Sequence, residues 1–159
     1  MDPHPQTSNA QAVTIQAAAP EFFYFLTNSD GHNPIAATNA LTYAYIGTPG
    51  LISGVTFTPA KPGDILTLYA TGFGATNPAV APGELPAAAA TITAPFTLTI
   101  GGVTVPADAV PYAGVVPGIA GLYQLNVIVP DTVPDGNQNV VVTIGGVSSP
   151  PNAYITIAR

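Results

Sequence analysis

Phe96-Thr97-Leu98-Thr99-Ile100-Gly101-Gly102-Val103-Thr104 reads as a strand, a tight turn and a returning strand. Phe96, Leu98 and Ile100 fall on one face and the threonines on the other, the alternation of a strand with one buried side. A two-residue Gly-Gly link supplies the positive φ that primed hairpin turns need. Thr-Ile-Gly-Gly-Val recurs at 143–147. The flanking residues do not match, so this is one hairpin device used twice and not a solenoid repeat.

The same period extends outward. Tyr123, Leu125, Val127 and Val129 share a face opposite Gln124 and Asn126, and Val140, Val142 and Ile144 lie opposite Thr143. Further strands are expected over 12–16, 22–27, 41–46, 64–71, 109–113 and 153–158. Eighteen prolines and sixteen glycines leave few intervals for a helix, since its interior loses ~3 kcal/mol to Pro and ~1 kcal/mol to Gly. Many short strands with Pro/Gly turns predict an all-β fold, an immunoglobulin-like antiparallel β-sandwich.

The 159 residues suit one domain, expected over 12–159 behind a flexible polar tail at 1–11. Such a chain buries roughly 68–70% of its unfolded surface and needs no disulfide or structural metal. Cysteine is absent, which excludes thiolate chemistry. Lys61 and Arg159 are the only basic side chains against eight carboxylates, and the net charge is −6. That balance excludes nucleic acid and anionic membranes as partners. No apolar run reaches the ~18 residues of a membrane helix, so no membrane insertion is expected. None follows a basic start as in a signal peptide, so an export signal is expected outside this stretch.

Three blocks carry a family resemblance. Residues 58–74 read TPAKPGDILTLYATGFG, 121–130 read GLYQLNVIVP and 142–151 read VTIGGVSSPP. Together they resemble a C-terminal module of large exported acidobacterial (Solibacter-type) proteins. The Pro-Gly turn, strand and Gly-Phe-Gly bend are also similar to the IPT/TIG branch of immunoglobulin-like domains. The resemblance covers 36–159, and 12–35 more loosely, with its firmest part over 59–159. It implies the sandwich fold and an extracytoplasmic or secreted setting within a larger protein, and brings no catalytic residues. Residues 12–16 would then be a strand that pairs along a sheet edge or completes the sheet of a neighbouring molecule.

Few residues suggest chemistry. His4 and His32 are the only histidines, too few for a catalytic zinc site. Gly146-Val147-Ser148-Ser149-Pro150 lacks the final Gly of a nucleophile elbow and follows a hairpin, so both serines are expected to be structural. Asp64 and Glu84 would serve as acid and base only if they faced one cavity, and Asp64 follows a Pro-Gly turn that favours capping. Lys61, a candidate for an isopeptide, sits between prolines in a loop. Calcium is the better-supported cofactor, because two loops are rich in oxygen donors. One holds Asn28 and Asp30, the other Asp131, Asp135 and Asn137, and with almost no cations nearby their charge would favour a divalent ion. Asx-Gly clusters are also ordinary turn formers. The aromatic run 22–25 and Tyr43, Tyr45, Tyr112 and Tyr123 either pack at the core and rim or stack on sugar rings.

Two functions follow as expectations. The first is a non-catalytic interaction module that meets a protein, a polymer or its own copy through loops or an edge strand. The second is a small calcium-dependent hydrolase of esters or lactones, in which the metal polarises a carbonyl and activates water.

Overall fold

The computed structural model describes residues 9–81 and 83–159. The first strands are short: β1 (Glu21–Phe22), β2 (Asn33–Pro34), β3 (Ala37–Asn39), β4 (Tyr45–Ile46) and β5 (Phe57–Thr58). After the longer β6 (Ile65–Thr71) come β7 (Thr76–Asn77), β8 (Ala90–Ile92), β9 (Phe96–Ile100) and β10 (Val103–Thr104). A 3-10 turn at Ala107–Ala109 leads into β11 (Tyr112–Val115), β12 (Tyr123–Ile128), β13 (Gly136–Ile144), β14 (Val147–Ser148) and β15 (Ala153–Ile157).

These strands make the two packed sheets of an all-β sandwich. The larger runs β5-β4-β3-β6-β12-β11-β8-β7, with β1 also on β6. The smaller runs β10-β9-β13-β15-β2, with β14 on β13. Pairing is antiparallel except where β4 meets β5 and β15 meets β2.

Register follows the hydrophobic period. Leu125 opposes Leu68 and Val127 opposes Leu66, while in the facing sheet Val140 opposes Ile100 and Val142 opposes Leu98. All eight side chains are buried in one continuous core. Burying such side chains contributes about 1.5–3 kcal/mol each, and a one-residue slip would turn the whole set outward. Tyr123 is partly buried against the same core. Both Gly-Gly links have positive φ at each residue, 58° and 78° at Gly101 and Gly102 and 56° and 88° at Gly145 and Gly146. These are the backbone signs of a type I′ turn.

Two segments cross from one sheet to the other and close the sandwich. Asn33 and Ile35 donate to the Asn152 and Tyr154 carbonyls of the smaller sheet. One residue later Ala36 donates to Phe23, and β3 pairs with β6. In the second crossing, the Thr58 carbonyl accepts from Gly47, while Ala60 donates to Thr156 and accepts from Ala158.

Several strands differ from their expected bounds. Residues 12–16 form no strand, and Val13 and Ile15 stand 80% and 91% exposed. The chain docks from Ala17 onward, and Ala19 donates to the Gly72 carbonyl. That approach explains the Gly-Phe-Gly bend: a Cβ on Gly72 would lie 1.9 Å from the Ala19 oxygen, and one on Gly74 2.5 Å from that of Ala17. The strand expected over 22–27 is reduced to β1 and an isolated bridge at Tyr24, because the chain changes partner from β6 to 34–36. Residues 40–44 turn instead of extending, since the Asn39 side chain accepts from the Leu41 and Thr42 amides. The strand expected over 109–113 starts only at Tyr112, after Pro111, which cannot donate to a ladder. Of the expected tail, 1–8 with His4 lie outside the described residues, and 9–11 are exposed.

Candidate functional site

A cleft of about 440 Å³ opens between the 28–33 loop and the outward face of the smaller sheet. Asn28, Asp30 and His32 form one wall, and Asn137, Asn139 and Tyr154 supply the opposite side. The turn-forming sequence Asn-Ser-Asp-Gly-His-Asn builds its wall by bonding to itself. Gly31 donates to the Asn28 carbonyl at 3.1 Å. The Asp30 carboxylate accepts from the His32 amide at 2.9 Å, and the buried Asn33 side chain accepts from the Asn28 amide at 2.8 Å. The Asn28 side-chain amide donates to the His32 carbonyl.

The facing side comes from β13 and β15. Asn137 and Asn139 lie on the strand face opposite Val140 and Val142, so they point outward where the valines point to the core. The Asn139 side-chain amide donates to the Pro151 and Ala153 backbone carbonyls, and the Asn137 side-chain oxygen accepts from the Thr156 hydroxyl. Burial raises the Tyr154 phenol above its ordinary pKa, and the negative charge of Asp30 adds to the rise. Asp30 and His32 are both exposed, with Oδ2 and Nδ1 3.9 Å apart. The cleft thus offers one carboxylate, one imidazole, three amides and a phenol.

The structure brings together Asn28, Asp30 and Asn137 from the five residues expected to hold calcium. Asp131 and Asp135 do not line this cleft. They flank Arg159, whose Nη1 donates to the Asp135 carboxylate at 2.6 Å while Nη2 donates to the Asp131 and Val133 carbonyls at 2.7 and 2.8 Å. The loop therefore holds a guanidinium where a divalent ion was expected. Calcium takes six to eight oxygens, several of them carboxylate. The cleft has one carboxylate, and among the described residues no three His, Cys, Asp or Glu side chains are grouped to hold a metal.

The other sequence candidates are not brought into this cleft. Asp64 accepts from the Lys61 amide at 2.8 Å and closes the Pro-Gly turn. Glu84 lines a different groove with Thr76, Val80, Pro86 and Tyr123, and Asp64 is not among its walls. Ser149 is buried and accepts from the Val142 amide, and Ser148 shares a hydrogen bond with Thr143.

A second feature lies at the β5-β4-β3 margin of the larger sheet. Leu41, Tyr43 and Tyr45 are 74%, 79% and 47% exposed there. Tyr43 has φ +60°, the only positive value at a non-glycine residue among those described. For a bulky side chain that is a strained backbone. The Tyr45 ring lies against Phe25 and Phe57, centroids 5.6 and 5.8 Å away. Tyr154 and Asn139 were not singled out in the sequence, although the Asn-x-Asn spacing at 137 and 139 marks two polar groups on one strand face. Comparison with protein families, curated proteins and solved structures gave no match.

Proposed function

We propose that this chain is a non-catalytic interaction module, extracytoplasmic and part of a larger protein, that meets its partner through loops at the margin of the sandwich. The observation that carries the reading is the loop at 40–44. Leu41 and Tyr43 are displayed to solvent there, with Tyr45 just beyond it in β4, and Tyr43 is kept in a left-handed backbone conformation. Strain of this kind costs about 1–3 kcal/mol and persists where the surroundings enforce it, as at ligand clamps. Asn39 does the enforcing, with its side chain on Leu41 and Thr42 and its carbonyl accepting from Tyr43 at 2.9 Å. The charge-poor surface and the resemblance to exported acidobacterial modules support the extracytoplasmic setting.

The calcium-assisted ester or lactone hydrolase has weaker support. Its two loops do not pool their carboxylates, and one is neutralised by Arg159. The test is turnover of a chromogenic ester and an acyl lactone, with calcium and with EDTA, for the parent and Asp30→Asn. The module reading expects no turnover and a melting temperature that calcium leaves unchanged, since an ion that does not bind cannot stabilise the fold. Turnover that disappears in EDTA and in Asp30→Asn would overturn it.

A further inference from the structure

We infer that the margin formed by β3, β4 and β5 binds an uncharged polysaccharide, with Tyr43 and Tyr45 as its stacking platform; this rests on the module reading above. The first observation is charge. Residues 33–60 supply all three strands and the loops between them, and contain no Asp, Glu, Lys, Arg or His. A partner that relied on ion pairs would find none from this stretch, whereas its Thr and Tyr hydroxyls and Asn amides offer neutral hydrogen bonds to a hydroxyl-rich polymer.

The second observation is shape and chemistry. A pyranose ring has an apolar face of C–H groups and a rim of hydroxyls. A tyrosine ring complements it with a negative π-face and a polar tip. Tyr45 packs against Phe25 and Phe57, so its ring has little rotamer freedom left to lose on binding, which favours affinity from a small contact. The left-handed backbone at Tyr43 sets the direction in which its exposed side chain leaves the turn.

The third observation is size. A stable protein interface buries ~800 Å² and about 20–30 residues per partner. Here the large exposed side chains number three, within a single five-residue turn and its following strand. That is too little for a stable dimer, whereas two exposed tyrosine rings close in sequence offer two stacking contacts to one sugar chain.

Affinity electrophoresis through gels containing dissolved β-glucan, xylan or glucomannan, with polygalacturonate as the charged control, tests the inference. At least one neutral polymer should retard the parent protein. Tyr43→Gly is the deciding variant, because it removes the ring and relaxes the backbone together. It should weaken retardation about tenfold, the loss of one stacked contact, and Tyr45→Ala should do likewise. If no neutral polymer retards the parent, or if Tyr43→Gly is retarded as strongly as the parent, the inference fails. The module reading is then still judged by its own turnover assay. Sedimentation velocity adds a separate outcome: self-association that Tyr43→Gly abolishes would make the occupant a second copy and overturn the polysaccharide.

Discussion

The β6–β12 ladder and the β3–β5 margin belong to one sheet and solve different problems. β6 and β12 pair over six consecutive residues, with Leu66, Leu68, Leu125 and Val127 fully buried beneath them. β3, β4 and β5 are two or three residues long. The turns between them expose apolar side chains, and one aromatic residue is strained. Long ladders commit their side chains to the core, whereas short ones leave loops free to present groups to a partner. On the proposed reading, stability and recognition are separated within one sheet, and substitutions in the two regions should have opposite signatures.

Leu125→Ala should have the largest effect. It empties a fully buried site at the middle of the ladder, and the loss should be about 2–5 kcal/mol in urea unfolding. A loss below about half a kilocalorie would show that the ladder is not the core. Gly72→Ala follows. Its new Cβ would meet the Ala19 carbonyl at 1.9 Å on a backbone with φ +74°, so about 1–3 kcal/mol should be lost as the 17–20 segment lifts away. An unchanged midpoint would mean that this segment is not docked on the bend.

Titration gives a smaller effect on the ladder side. Burial raises the Tyr123 phenol, and Tyr24 is raised by burial and then by its hydrogen bond to Glu21 and that residue's charge. The folded pKa values therefore lie above the unfolded ones. Their contribution to stability is complete below 10.0, the ordinary phenol value, and is lost as pH rises above it, because the unfolded chain ionises first. Urea midpoints should be level up to about pH 9 and decline beyond about pH 10, with a smaller decline in Tyr24→Phe. An equal decline in that variant would assign the alkaline loss to other groups.

The two regions also differed in how far they could be read from sequence. β9, β12 and the later part of β13 follow from alternation alone, and both Gly-Gly hairpins lie where expected, because burial on one face imposes the period. The margin did not follow the same logic. Residues 41–46 alternate like a strand, yet the Asn39 side chain captures two amides and bends the chain. Val13 and Ile15 also alternate but find no strand partner. Alternation reports what could be half-buried, and it cannot say whether a partner strand is present. The cleft was legible in part, since Asn28, Asp30 and Asn137 do meet. Arg159 reaching Asp135 at the end of the β13–β15 ladder was not, because local spacing does not reveal which strands pair or in what register.

The most direct test of this division is Tyr43→Gly, measured on one preparation for both urea unfolding and retardation by a neutral polysaccharide. Glycine accepts φ +60° without a Cβ clash, and the ring it replaces is 79% exposed. The variant should therefore be as stable as the parent or up to about 1 kcal/mol more stable, while its retardation weakens. A variant that unfolds more easily yet binds the polymer like the parent would contradict the account.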